Sequence, residues 1–354
     1  MPLATTFAGD SARAEGLFNI ISMGAGYWAA TLTDTSSTPN TSGYGITTDS
    51  SGNVYVCGFG NNSSGYQNAS VSKYNSSGTI QWQTTFSSGA GSNNKANGIT
   101  VDSSGNVYVC GAAFDYPSAG NNTAIVTKYD SSGTVIWQKN LGSVVVYAQG
   151  IKTDSSGNIY VCGRGSSLLN LIYKLNSSGT IQWQKTLDDG QSPKLKIVSF
   201  YGMAIDSSAN LYVTGINYNT TPDTVISICK YNSSGTIQWQ RSLTSAGSSP
   251  YGAGNGIAVD SSANVYVAAQ GYNSSNQVIA SISKWDSSGT LQWQRTLTDA
   301  GSTINAGSTG VSIDSSGNVF VVGYGNNSSN QQVISISKWD SSGTIQFQRT
   351  ITDT

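Results

Sequence analysis

Histidine is absent from this 354-residue chain, glutamate occurs once, at Glu15, and only 10% of the residues are charged, 17 Lys+Arg against 18 Asp+Glu. Soluble globular chains usually carry about 25%. Each scarcity excludes something. Without histidine, the commonest general acid–base at neutral pH and the commonest zinc ligand are gone, which argues against Ser-His-Asp hydrolases and zincins. A net charge of −1 leaves no cluster of Lys and Arg to neutralise phosphates, so no nucleic-acid partner is expected. A single glutamate does not furnish calcium loops with their bidentate ligand. The adjacent Asp188 and Asp189 cannot flank a glycosidic bond from opposite sides. The four cysteines show no CxxC spacing, so neither a metal site nor a cofactor site is read. No run of about 18 apolar residues exists, and no membrane insertion is expected. Residues 1–27 lack a basic stretch followed by an apolar one and a cleavage site, which predicts synthesis in a cytoplasm without a signal peptide. These absences together predict a protein that is not an enzyme.

What the chain has in quantity is glycine (41), tyrosine (19), tryptophan (8), serine, threonine and asparagine, and they recur in register. Asp-Ser-Ser-Gly/Ala-Asn begins at Asp49, Asp102, Asp154, Asp206, Asp260 and Asp314, and Ser-Ser-Gly-Thr begins at Ser76, Ser131, Ser177, Ser233, Ser287 and Ser341. Six copies of one unit, each about 53 residues, therefore span residues 36–354. Each copy reads as four short strands, a to d. In the second copy these are Gly98–Asp102, Val107–Cys110, a run ending at Lys128-Tyr129, and Val-Ile-Trp-Gln-Lys ending at Lys139. Asp or Asn at the first turn position, Ser in the middle and Gly at the fourth specify a type I turn with a following bulge. Ala209 and Ala263 stand where that glycine is expected. Either the left-handed residue in those copies is the following Asn, or the two turns hold about 1 kcal/mol of strain.

A four-stranded meander of this size cannot bury both faces alone, whereas stacked copies cover one another. Glycine opens the a strand at positions 45, 98, 150, 202, 256 and 310, and an aromatic ring recurs on the d strand at Trp82, Trp137, Trp183, Trp239, Trp293 and Phe347. A taper from glycine to tryptophan suits sheets that converge at one edge and widen at the other. The fold class predicted is all-β, a β-propeller of four-stranded antiparallel blades. A d-like strand at Trp28-Ala-Ala-Thr-Leu-Thr-Asp suggests seven blades, the first shortened and drawn from Leu3 to Thr35. Six blades with an N-terminal arm outside the ring is the alternative. On either count, residues 1–35 form an N-terminal segment ahead of the six full repeats.

The pattern Asp-x-x-Gly-Asn-x-Tyr-Val-x-Gly, followed by Lys-Tyr-Asp-Ser-Ser-Gly-Thr-x-Gln-Trp-Gln-Arg-Thr-Leu, resembles the bacterial and viral seven-bladed β-propeller repeat family across residues 36–354. Its Gln-Trp-Gln-Arg-Thr-Leu wording resembles repeats in tail-fibre and other virion proteins of aquatic bacteriophages. That resemblance implies localisation to a virion and contact with other virion subunits, which we expect through residues 1–27.

The a–b and c–d turns are nearly constant between copies, while the b–c and d–a connections vary and should emerge together on one face. The b–c connections carry Asn62 and Tyr66, Tyr116 and Asn122, Tyr218 and Asn219, Tyr272 and Asn273, and Tyr324 and Asn327. Aromatic faces beside amides suit the apolar face and polar edge of a sugar ring, and suit a protein interface equally. These ten residues are the candidate ligand-binding set, and a host-surface glycan or receptor is the expected ligand. A structural adaptor or decoration protein of the virion is the second reading. The longest d–a connection, residues 186–201, departs from the pattern with Asp188, Asp189, Lys194 and Lys196, as a partner contact or a solvated loop. Cys57, Cys110 and Cys162 share one b-strand slot, about 10 Å apart on neighbouring sheets, too far for a disulfide. They and Cys229 read as buried thiols. The recurring lysines at 73, 128, 174, 230, 284 and 338 read as edge-strand protection and partners of the turn aspartates.

Overall fold

The computed structural model describes residues 41–62, 65–86, 93–114, 122–142, 145–165, 170–186, 197–218, 224–244, 251–297 and 305–351. These form six four-stranded antiparallel sheets, each in simple meander order. The chain divides after Gln184 into two compact units. The first unit holds β1 (Ser42–Thr48), β2 (Val54–Asn61), β3 (Gln67–Tyr74) and β4 (Ile80–Phe86); β5 (Asn93–Val101), β6 (Val107–Phe114), β7 (Asn122–Tyr129) and β8 (Val135–Asn140); and β9 (Val145–Thr153), β10 (Ile159–Gly165), β11 (Asn170–Leu175) and β12 (Ile181–Thr186), whose last two residues pass the boundary. The second holds β13 (Ile197–Ile205), β14 (Leu211–Tyr218), β15 (Thr224–Tyr231) and β16 (Ile237–Leu243); β17 (Gly252–Val259), β18 (Val265–Tyr272), β19 (Val278–Trp285) and β20 (Leu291–Leu297); and β21 (Gly307–Ile313), β22 (Val319–Asn326), β23 (Gln332–Trp339) and β24 (Ile345–Ile351). The fold is all-β, a propeller of four-stranded blades. The shortened first blade expected over Leu3 to Thr35 lies outside the described residues.

The repeated turn works as its chemistry predicts. Asp49 Oδ1 accepts the backbone N–H of Ser51 and of Asn53, both at 3.0 Å, while Oδ2 accepts the Asn53 amide at 2.7 Å and the Tyr55 hydroxyl at 2.9 Å. Tyr108, Tyr160, Tyr212 and Tyr266 make the same bond to Asp102, Asp154, Asp206 and Asp260. Phe320 takes this position in the sixth sheet, where Asp314 still holds Asn318. Burial alone would raise the Asp49 pKa, but these hydrogen bonds outweigh it and hold the carboxyl below the usual aspartate range. Ala209 and Ala263 themselves adopt the left-handed conformation, at φ 59° and 61°, so the turns keep their shape at the cost of strain.

Alternation along each strand separates two faces. In the first sheet Tyr55, Cys57, Ala69, Val71 and Phe86 face one way and pack against Val107, Val109, Ala113, Ile125 and Tyr129 of the second. The same stacking joins the second sheet to the third, the fourth to the fifth and the fifth to the sixth. Glycine within the first strand of the sheet permits the close approach: a Cβ on Gly256 would stand 2.9 Å from the Cα of Gly310. The four cysteines are buried and unpaired, as expected.

The lysines occupy different ground from the sequence expectation. They lie on the third strand of each sheet, an interior strand rather than an edge. Each ammonium sits over the aromatic ring facing it across the ladder, from Lys73 at 5.3 Å above Tyr55 to Lys338 at 5.4 Å above Phe320. That geometry is a cation–π contact. Because the same tyrosine binds the turn aspartate, ring, carboxylate and ammonium form one repeating assembly.

Candidate functional site

Hydrogen bonds fix which connections share an end of the sheets. Gln67 N–H, at the start of β3, donates to Asn93 Oδ1 at the start of β5 (2.9 Å), and Ala306 N–H, leading into β21, donates to Val278 O at the start of β19 (3.0 Å). The b–c and d–a connections therefore meet on the end opposite the Asp-capped turns.

At this end the structure separates the ten candidates. Asn62, Asn273 and Asn327 are turn caps: Asn273 Oδ1 accepts the N–H groups of Ser275 (2.9 Å) and Gln277 (3.0 Å), and Asn327 repeats the arrangement with Ser329 and Gln331. Asn62 Oδ1 accepts the N–H of Tyr66 at 3.1 Å. Their carboxamide oxygens are committed to the loop itself, an Asx turn. Tyr116 and Asn219 lie outside the described residues, and Tyr218 ends β14. Asn122 opens β7 and donates from Nδ2 to the Tyr147 hydroxyl at 3.3 Å.

Tyr272 and Tyr324 are strand residues, not loop residues, because the ladder continues past the region the copies share: Tyr272 pairs with Val278 and Tyr324 with Ile334. These two tyrosines belong to one cluster. The Tyr324 hydroxyl donates to Gln270 Oε1 at 3.0 Å, and Gln270 Nε2 donates to the Tyr251 hydroxyl at 3.2 Å. The Tyr251 and Tyr272 rings lie 5.4 Å apart, tilted by 41°. Gln270 is 6% exposed, so its amide serves to orient the rings around it. Burial, and then the neighbouring Tyr251, raise the pKa of Tyr324.

Gln270 escaped the sequence reading, as did the position it occupies. Two residues past the cysteine slot, the six copies carry Phe59, Ala112, Arg164, Ile216, Gln270 and Tyr324. No two are alike, on strands whose lower halves barely change. In the first unit Phe59 lies between the Tyr44 ring, 5.7 Å away, and the Lys95 ammonium, 5.1 Å above it. A signal was present: aligning the copies shows variation inside the strand as well as beyond it.

Beside the tyrosine–glutamine cluster a cavity of about 300 Å³ opens between the fifth and sixth sheets. Gly307, Tyr324 and Gly325 join it to the cluster, and Ser308, Ser335 and Thr350 lie along its wall.

Comparison with known proteins gives the family and the fold. A family model described as "Outer membrane protein assembly factor BamB" matches residues 122–352, and one described as "Beta-propeller repeat" matches residues 35–65 and 83–112. No curated protein matches the sequence. Among solved structures, an ulvan lyase, a polysaccharide lyase bound to a GlcA(1-4)Rha3S saccharide, aligns with TM-score 0.54 and 11% identity over 86% of this chain and 82% of its own. A gluconolactonase from Xanthomonas campestris aligns with TM-score 0.41 and 16% identity over 73% of this chain and 79% of its own. The WD40 domain of SCAP from fission yeast gives 0.42 and 9%, over 91% and 89%. At these identities the likeness is one of fold.

One expectation is overturned here. The missing histidine predicted a protein that is not an enzyme, yet a fold similar to this one carries a polysaccharide lyase. Tyrosine and lysine also move protons in active sites, and this chain is rich in tyrosine. The exclusion does not hold, and the fold alone fixes no activity.

Proposed function

We propose, from the premise that the chain belongs to the propeller family described as outer membrane protein assembly factor BamB, that it is a recognition protein whose variable end binds a glycan or a glycan-bearing receptor. The observation that carries this reading is the cluster of Tyr251, Tyr272 and Tyr324 around the buried Gln270 amide. It holds aromatic faces and polar groups at fixed spacing, with Gln270, Tyr272 and Tyr324 on strands, where a site is held more rigidly than on loops. Stacking on a sugar's C–H face with hydrogen bonds to its edge asks for these groups. The similar fold of the ulvan lyase, which holds a saccharide, adds motivation.

The setting we propose is a virion, as a tail or fibre component facing the host surface, with the N-terminal segment, residues 1–27, toward other virion subunits. The wording of the repeats supports this. The second reading, a structural adaptor between virion subunits, draws support from the family description as an assembly factor.

A glycan array and intact host cells, each tested with the wild type and with Gln270→Leu, decide between them. Binding that is lost in the variant supports recognition. Silence on both surfaces overturns it in favour of the adaptor. New chain ends released from a bound polysaccharide would assign catalysis to the same end of the molecule.

A further inference from the structure

We infer that the cavity between the fifth and sixth sheets is a pocket for a single neutral pyranose unit, a refinement that rests on the glycan-binding reading above. Its origin is a difference between copies. One row of residues crosses the sixth sheet on the face turned to the fifth: Ser308 pairs with Gly323, Gly323 with Ser335, and Ser335 with Thr350. The third-strand position of this row is Ile125 in the second sheet and Leu171 in the third, both buried and both packed into the gap between neighbouring sheets. Serine holds this position in the sixth sheet, as it does in the fifth (Ser281), where Ile226 of the fourth sheet fills the level instead. On the opposing wall Ala280 stands where the fourth sheet has the larger Ile226, so both sides are cut back at one level.

The lining is two-sided. Ala280 and Leu297 of the fifth sheet supply one wall, wholly apolar; on the other, Val321 and Ala306 stand beside the serines and Thr350 of the sixth. A pyranose has the matching division, an apolar C–H face and a hydroxyl-bearing edge. Among the described residues, Ser308 is fully buried on this wall and its Oγ has no hydrogen-bond partner. Buried hydroxyls are normally satisfied, so Ser308 leaves an unmet polar group in this wall, which a ligand hydroxyl would complete after a small shift of the wall. The one charged residue of the lining, Arg349, has its guanidinium over the Phe347 ring at 5.9 Å. With no lining carboxylate to hold an amine, and the guanidinium turned to Phe347 and away from an anionic group, the chemistry favours a neutral sugar. A volume of about 300 Å³ is at the small end for ligand pockets and suits one ring. Tyr324, which lines the cavity and touches Gln270, would let the rest of a longer glycan leave along the tyrosine cluster.

Saturation-transfer NMR and calorimetry on the full chain with neutral monosaccharides (glucose, galactose, rhamnose, fucose, N-acetylglucosamine) test this. We expect one or more to bind weakly. Ser335→Leu, which borrows the residue of the third sheet, should raise the melting temperature and lower affinity at least tenfold. Ser308→Ala, a smaller change that keeps the fold if Ser335→Leu does not, should lower affinity about threefold. If Ser335→Leu and Ser308→Ala bind as the wild type does while Gln270→Leu abolishes glycan-array binding, the cavity inference falls and the proposed recognition at the variable end stands. If neither monosaccharide nor arrayed glycan binds, the cavity is merely hydrated and both fall.

Discussion

The indole Nε1 of Trp82 donates a hydrogen bond to the carbonyl oxygen of Ser131, 3.1 Å away on the turn of the next sheet. Trp137 repeats it to Ser177, Trp239 to Ser287 and Trp293 to Ser341, at 3.1 to 3.2 Å. The turn glycine lies flat on the ring, since a Cβ on Gly133 would come within 2.7 Å of Trp82. Arg241 and Arg295 donate from Nε to the carbonyls of Gly289 and Gly343, at 2.8 and 3.0 Å. Tryptophan and arginine on an outer strand thus clasp the following repeat.

Two substitutions divide the tryptophan's contribution. Trp239→Phe keeps most of the ring and removes the donor, and should cost about 1 kcal/mol. Trp239→Ala should cost about 3 kcal/mol, because packing goes with it. Urea midpoints measure both, and equal losses would mean that the hydrogen bond, not the ring, holds the sheets.

Ala209 and Ala263 occupy a left-handed conformation that costs a residue with a Cβ about 1 kcal/mol. Ala209→Gly and Ala263→Gly should each stabilise the second unit by roughly that amount, less the extra freedom glycine gains in the unfolded chain. The two turns belong to different sheets, so the gains should add. Thermal denaturation of the single and double variants checks this, and a destabilised variant would show the turns to be relaxed.

Stability should be flat between pH 5 and 8, where no side chain with an ordinary pKa titrates in the absence of histidine. Hydrogen bonds from Ser132, Ser288 and Ser342, followed by those from backbone N–H groups, hold Asp130, Asp286 and Asp340 below the usual range. A carboxyl with a lowered native pKa stabilises fully above its unfolded value of about 4, and the gain is lost as pH falls through the native one. Burial raises the buried thiols, Cys162 and Cys229 to about 12, and burial, reinforced by the aspartate bond, raises Tyr55, Tyr108 and Tyr212. These groups stabilise below their unfolded values, so a second decline should begin near pH 9 and deepen past about 10. Urea midpoints across pH 3 to 11 would show a plateau with two shoulders, and a slope near pH 6 would contradict the assignment.

Gln270→Leu should leave the melting temperature within about 2 °C, because the equivalent slot of the fourth sheet already holds Ile216. It removes both amide bonds that orient Tyr251 and Tyr324. Glycan binding should fall at least tenfold, and an unchanged affinity would show that the rings need no such support.

The repeat and its turns were legible because they rest on short-range chemistry: an aspartate at a fixed offset, a glycine with positive φ, an aromatic residue at one level. The strand ends were not. The second copy's first strand reads from Gly98, yet it begins at Asn93, where Asn93 pairs with Phe114. Strand pairing above the shared glycine is tertiary, and residues that differ between copies carry no common alternation. For the same reason Tyr272 and Tyr324 read as loop residues, and Gln270 did not stand out from a strand interior. The lysines were misread because their partner, the ring across the ladder, depends on the pairing register, which the sequence does not show.

The clasp from Trp82 to Ser131 uses backbone carbonyls and residues that nearly every copy shares, so it does not distinguish one successor from another. A repeat could be exchanged with another inside the same unit, or its upper strand ends rewritten, with no new junction to be invented. Diversity at one end then comes without renegotiating the other, and recombination among the copies becomes a ready source of altered surfaces at that end.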